Sequence, residues 1–157
     1  MTANFEVKID DKLLKNFEKT VRKLPTHQLR VGFFDGKEEE SKDGEKEPIT
    51  IAAIARLNEF GDKKKRIPER PFMQQNLEAH GFYKRHLAIR LGKVIRNKSS
   101  ISTQLNRLGE IMVSDTKITT TSGDFEENKK STIAKKGSDK PLIDLGNMRA
   151  NVSYRVG

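Results

Sequence analysis

The chain has no cysteine and no tryptophan. Without cysteine there is no disulfide, no thiol nucleophile and no thiolate metal site, which fits assembly inside a cell. No apolar run approaches the length of a membrane span, and the opening Met1-Thr2-Ala3-Asn4-Phe5-Glu6 does not read as a signal peptide. A soluble protein made in the cytoplasm, with no membrane partner, is the expectation. Aromatics are only 6% and hydrophobic residues 34%, equalled by 34% charged residues. That is leaner than an average globular chain, so some segments are expected to gain stability only from neighbouring subunits. The 157 residues give one domain, 1–157, room for a modest core and would cramp two.

Motifs that carry chemistry are missing as well. There is no phosphate-binding glycine loop, no His-Glu-x-x-His and no serine in a nucleophile elbow. His27, His80 and His86 stand singly, and His80 and His86 are six apart, not the three or four that places two ligands on one helix face. Glu38, Glu39 and Glu40 lie in a charged loop too loose to hold catalytic geometry. The chain is expected not to be an enzyme and to use no cofactor and no metal.

What the chain does have is charge, unevenly placed. The formal net charge is +9. Asp35 to Glu47 holds seven acids and three lysines, a net of −4, whereas Asp62 to Lys98 holds eleven cations and three acids, a net of +8. Such polarity complements a polyanion or copies of the same chain, and composition does not separate the two.

Periodicity predicts an α+β fold, a small mixed or antiparallel sheet packed with about four helices and carrying long polar loops and arms. Asp10 to Leu24 reads as a helix capped by Asp10 or Asp11, with Leu13, Leu14, Phe17, Val21 and Leu24 in one apolar stripe and Pro25 ending it. Gln28 to Phe34 alternates as a strand with Leu29, Val31 and Phe33 on one face. Residues 35–48 have no apolar member and read as a flexible acidic loop. Thr50 caps a second helix, Ile51 to Phe60, and Gly61 suits its C-terminal end. A third helix starts at Pro71, carries Phe72, Leu77, Phe82, Leu87, Leu91, Val94 and Ile95, and has Gly81 as a point of bending. Asn97 to Ser100 breaks it, and a fourth helix runs from Ser102 to about Thr116 with Leu105, Leu108, Ile111 and Met112 inward. Residues from about 119 to 141 are polar and read as an extended arm that orders against a partner. Asp144 caps a short turn through Gly146 to Arg149, and Val152, Tyr154 and Val156 alternate as a terminal strand.

The basic stretch Leu57 to Met73 draws attention. Lys63, Lys64, Lys65, Arg66 and Arg70 are able to neutralise phosphates. A nucleic-acid-binding module using segment 63–70 is therefore one reading. No aromatic stands among these cations for base stacking; Phe60 and Phe72 flank them and are expected to anchor the helix ends in the core.

Two stretches in order carry a resemblance. The first is Ile54-Ala55-Arg56-Leu57-Asn58-Glu59-Phe60-Gly61 followed by Ile67-Pro68-Glu69-Arg70-Pro71-Phe72-Met73. The second runs from Ser131-Thr132-Ile133-Ala134-Lys135-Lys136-Gly137-Ser138 through Asp139-Lys140-Pro141-Leu142-Ile143-Asp144-Leu145-Gly146-Asn147-Met148-Arg149 to Val152-Ser153-Tyr154-Arg155-Val156. Together they resemble the tail-completion or neck proteins of tailed bacteriophages, the minor tail components of lambdoid and Mu-like phages. The resemblance covers most of the chain from Val31 onward. It departs at Leu145, where the family commonly has threonine, and at Asn147-Met148.

The resemblance implies a structural virion protein without catalytic residues, assembled in the host bacterial cytoplasm. It would form a ring, a hexamer by analogy with tail symmetry, that completes the tail or neck and lets head and tail join around the DNA channel. The implied partners are other copies of the chain, the head connector, the tail terminator or tube proteins, and passing DNA contacted non-specifically if at all. In this reading Lys63, Lys64, Lys65, Arg66, Arg70, Lys135, Lys136 and Lys140 contact partners. Asn58, Phe60, Gly61, Pro68, Pro71, Phe72, Asp144, Gly146 and Arg149 form the structural motif.

Overall fold

A computed structural model describes residues 10–34, 38–39, 49–78, 80–123, 125–127, 133–134 and 147–157. Asp10 opens α1 (Asp11–Lys23), its carboxylate accepting the amides of Lys12 and Leu13 at 3.0 and 3.1 Å. These are two of the donors that every helix start leaves unpaired. A 3-10 turn, Leu24–Thr26, holds Pro25 and leads into β1 (Leu29–Phe33).

The alternation in β1 is answered by the C-terminus. β4 (Val152–Val156) runs antiparallel to it, with Leu29 opposite Val156, Val31 opposite Tyr154 and Phe33 opposite Val152. Gln28 and Gly157 exchange a further pair of backbone bonds at 2.7 and 3.0 Å. Directly opposed residues share a face, so this register gathers both apolar sets on one side and leaves Arg30, Ser153 and Arg155 outside. A one-residue slip would invert the pattern. A second pairing joins β2 (Glu38–Glu39) to β3 (Ile49–Thr50). These two glutamates are strand within the predicted acidic loop 35–48; residues 35–37 and 40–48 lie outside the described residues.

Thr50 caps α2 (Ile51–Phe60), accepting the amide of Ala53 at 3.2 Å, and Gly61 follows with φ +64°. The single third helix of the sequence reading is instead two, α3 (Phe72–Glu78) and α4 (His80–Ile95), and the division falls before Gly81. The end of α4 is a left-handed turn at Asn97, φ +56°. The Asn97 amide donates to Val94 O and the Lys98 amide to Lys93 O, both at 2.9 Å, which closes the last carbonyls in a Schellman motif. Ser100 then caps α5 (Ile101–Ser122) through the amide of Thr103.

α5 is the hub: it packs on β4 and β1 on one side and on α3 and α4 on others. It is longer than predicted. The hydroxyls of Thr116, Thr119, Thr121 and Ser122 each donate to the carbonyl four residues back, and that of Thr120 donates to Lys117 O. The side-chain amide of Asn76 on α3 donates to Thr116 Oγ1, and its carbonyl, 2.7 Å from Thr119 Oγ1, shares that hydroxyl's one proton with Asp115 O. With their polar atoms satisfied, Thr116 and Thr120 are buried at 2% and 4% exposure. The predicted arm of about 119–141 is thus corrected at its start, where 119–122 are helix and Phe125 packs back onto the core.

Two apolar clusters hold the elements. Ile51, Ala55, Phe72 and Met148 join α2, α3 and α6 (Asn147–Asn151), with Phe33, Met73 and Phe125 against them. Val94, Ile101 and Leu105 join α4 to α5, with Leu29, Leu87 and Val156 from the sheet and α4. The result is mostly helical with two small two-stranded antiparallel pairings among the described residues, an α+β fold as expected.

Candidate interaction surface

The connector between α2 and α3 is built by its own backbone. Asp62 and Ile67 exchange both backbone bonds at 2.9 Å, making a tight hairpin whose tip is Lys63 to Arg66. The Asp62 carboxylate accepts the amides of Lys64 and Lys65 at 2.9 and 3.1 Å, and Arg66 turns left-handed at φ +55°. The positive φ of Gly61 brings it under the hairpin, where a Cβ would lie 2.8 Å from Ile67 O; no larger residue fits. All four cations at the tip are exposed. Their side chains are free of any role in shaping the turn.

Glu59 and Arg70 lock this hairpin to the body. The Glu59 carboxylate accepts the amides of Met73 and Gln74, both at 2.9 Å, and so caps α3 from the end of α2. A charged acceptor at a helix N-terminus is favourable by about 1 kcal/mol. The Arg70 amide donates to Asn58 O at 2.7 Å, and its guanidinium reaches Glu126 O at 3.1 Å and Asn58 Oδ1 at 3.4 Å. Arg70 is only 5% exposed. Burial lowers its pKa, and the charge of Glu126 opposes that shift.

The sequence-predicted residues therefore separate. Lys63, Lys64, Lys65 and Arg66 are presented to solvent, whereas Arg70, grouped with them as a contact residue, is an internal strut because its backbone and guanidinium are engaged within the subunit. Asn58, Gly61 and Phe72 act as structural motif residues, Phe72 with no exposure at all and its ring edge-on to Phe33. Pro68 and Pro71 are half-buried in the path to α3, and Arg149 is exposed on α6. Phe60 is the correction: expected to anchor α2 in the core, it is 66% exposed. It is the last residue of α2, and the sharp turn at Gly61 leaves its ring outside the clusters that Phe72 enters. Lys135, Lys136, Lys140, Asp144 and Gly146 lie outside the described residues.

Phe60 borders an apolar groove of about 460 Å³ between α2 and α3, floored by Phe33, Ala55 and Phe72 and flanked by Met73 and Leu77. Leu77 is itself 45% exposed. The larger surprise is α1. Its buried position is Thr20, whose hydroxyl is satisfied by Asn16 O at 2.7 Å, while Leu13, Leu14, Phe17 and Val21 are 41–49% exposed. The apolar stripe read from the sequence is real, and Leu13, Leu14, Phe17 and Val21 of it stand half-exposed beside the buried Thr20. Periodicity reveals such a stripe but not what covers it.

Chemistry elsewhere is sparse. Among the described residues no group of three or more His, Cys, Asp or Glu is placed to hold a metal ion. His27 Nδ1 lies 2.9 Å from Lys23 O, and His86 stacks at 4.2 Å on Phe82. Tyr83 donates to Asp115 Oδ2 at 2.9 Å; burial first, and that carboxylate second, push its pKa well above the ordinary tyrosine range. Among the described residues no helix is long and apolar enough to cross a membrane. Compared with protein-family models, with curated proteins and with solved structures, the chain finds no match.

Proposed function

We propose that this chain is a structural subunit of a tailed-phage virion, forming a ring of identical copies that completes the tail or neck at the head–tail junction. The observation that carries the assembly part is the half-exposed apolar stripe of α1. Covering a half-exposed Leu, Phe or Val side chain is worth roughly 1 kcal/mol, so the four together offer about 4 kcal/mol before the cost of association. That is weak for an isolated pair. It suffices when each subunit is held on two sides, as in a closed head-to-tail ring. Phe60 and Leu77 beside the groove offer a second exposed apolar area. The virion part rests on the resemblance carried by the two motif stretches; in the first of them Asn58, Gly61, Arg70 and Phe72 serve the hairpin clasp rather than reaction chemistry.

The test is the mass of the purified protein by light scattering across concentration, at low and moderate salt, beside the double variant Phe17→Ser/Val21→Ser. A discrete oligomer that the variant reduces to monomer supports the reading. A wild-type chain that stays monomeric at high concentration and with purified tails counts against it.

A further inference from the structure

The corner between α4 and α5 holds a feature that the hairpin does not explain. A cavity of about 470 Å³ is lined by Lys93, Arg96, Lys98, Arg107, Ser99 and Gln104. Four of its six lining residues are cationic and none is acidic. The Schellman turn at Asn97 folds the end of α4 back so that Lys93, Arg96 and Lys98 meet Arg107, one α5 turn beyond Gln104. Arg96 is laid along its own helix, its guanidinium donating to Gly92 O at 3.3 Å, where a Cβ on residue 92 would crowd it at 3.0 Å.

The wall behind these cations is built. Gln104 is 2% exposed; its Nε2 donates to Ser99 Oγ at 2.8 Å and its Oε1 accepts from Arg90 at 3.4 Å. Ser99 Oγ is thus an acceptor toward Gln104, which leaves its own proton for an acceptor in the cavity. Arg90 Nε is buried with no partner among the described residues. Among the described residues no carboxylate pairs with Lys93, Arg96, Lys98 or Arg107; the nearest in sequence is Glu110, one turn along α5 from Arg107. All four cationic side chains are exposed, so solvent screens their mutual repulsion, and an anion seated among them would add favourable contacts. Two guanidinium groups and a hydroxyl suit the several oxygens of a phosphate better than a lone carboxylate.

We infer that the α4–α5 corner is a phosphate-binding site, distinct from the hairpin cations. The inference goes beyond the virion reading and does not depend on it. The phosphate source is either a small phosphate compound or a nucleic-acid backbone, and the experiment separates them. Binding of pyrophosphate is measured by calorimetry at ionic strength held constant with chloride, and binding of a DNA duplex by anisotropy over a salt series. Each is done on the wild type, on Arg96→Gln/Arg107→Gln and on Lys63→Gln/Lys64→Gln/Lys65→Gln. All these side chains are exposed, so the variants fold, which circular dichroism checks. The corner variant is expected to lose at least tenfold in affinity while the hairpin variant keeps it. If only pyrophosphate responds, the ligand is a small phosphate compound. If the duplex responds, with a salt slope reduced by about two in the corner variant, the source is the backbone. The inference is overturned if neither probe binds, or if the corner variant binds as the wild type does.

Discussion

Gly109 lies at the contact between α5 and β4, and its replacement by alanine sets two effects of opposite sign against each other. Alanine is favoured over glycine in a helix interior by about 1 kcal/mol, so the substitution taken alone is stabilising. The structure reverses this. A Cβ at 109 would lie 2.5 Å from two ring carbons of Tyr154 and 3.0 Å from a third. Restoring ordinary contact needs a retreat of about 1 Å. Tyr154 is held across the sheet from Val31, so the ring retreats only by leaving its rotamer or by lifting β4 off α5. Overpacking of this kind costs typically 1–3 kcal/mol. After the propensity gain, a net loss of up to about 2 kcal/mol remains, or a fall in Tm of up to about 8 °C for a chain of this size. The assay is urea unfolding followed by circular dichroism at one dilute protein concentration. Tyr154→Ala, alone and combined with Gly109→Ala, completes a double-mutant cycle in which the loss is relieved. Gly81→Ala is the control: nothing lies within 4 Å of a Cβ there, and stability should rise by up to about 1 kcal/mol. A Gly109→Ala protein more stable than the wild type by the full propensity gain of about 1 kcal/mol, or a cycle with no coupling, refutes the packing argument.

Three further outcomes are expected. Glu59→Ala removes the cap of α3 and should cost about 1 kcal/mol in urea unfolding, with Glu59→Gln losing less because one acceptor oxygen remains; equal stability of all three proteins would remove Glu59 from that role. The raised pKa of Tyr83 means that its stabilisation is complete below the unfolded tyrosine pKa near 10 and declines as pH rises beyond it. Tyr83→Phe should therefore lower the urea midpoint at pH 7 yet flatten its decline above pH 10, and an unchanged alkaline slope would contradict the assignment. Charge reversal of Lys63, Lys64 and Lys65 to glutamate should leave the fold intact, since the turn is held by Asp62 and Ile67 backbone bonds, but should reduce joining of purified tails to heads. Joining at normal yield would exclude the hairpin tip from that contact.

Local signals in the chain were readable where one residue does one local job. Asp10 and Thr50 cap helices because short polar side chains reach the free amides two or three residues on, and Ser100, read as part of a break, proves to cap α5 in the same way. Leu29, Val31 and Phe33 point to a strand face, as do Val152, Tyr154 and Val156. The polar tract at the end of α5 misled because composition counts a threonine as polar even when its hydroxyl is spent on the preceding turn and on Asn76, forty residues away and more. The division of α3 from α4 was legible only in part: Gly81 marked a point of bending, but Phe72 to Ile95 has no proline to mark an end.

By itself, then, the sequence determined the element types, most of their caps, the apolar stripe of α1 and the α+β class, because each depends on neighbours within a few residues. Only the tertiary structure decided which faces those elements turn inward. It sent the α1 stripe and Phe60 to the surface and buried Arg70 beside Glu126 and Asn58. It also brought Arg107 to Lys93, Arg96 and Lys98 around one cavity. Periodicity states that a face exists, whereas burial is settled by the competition of all faces for one small core, and that competition is not written at any single position.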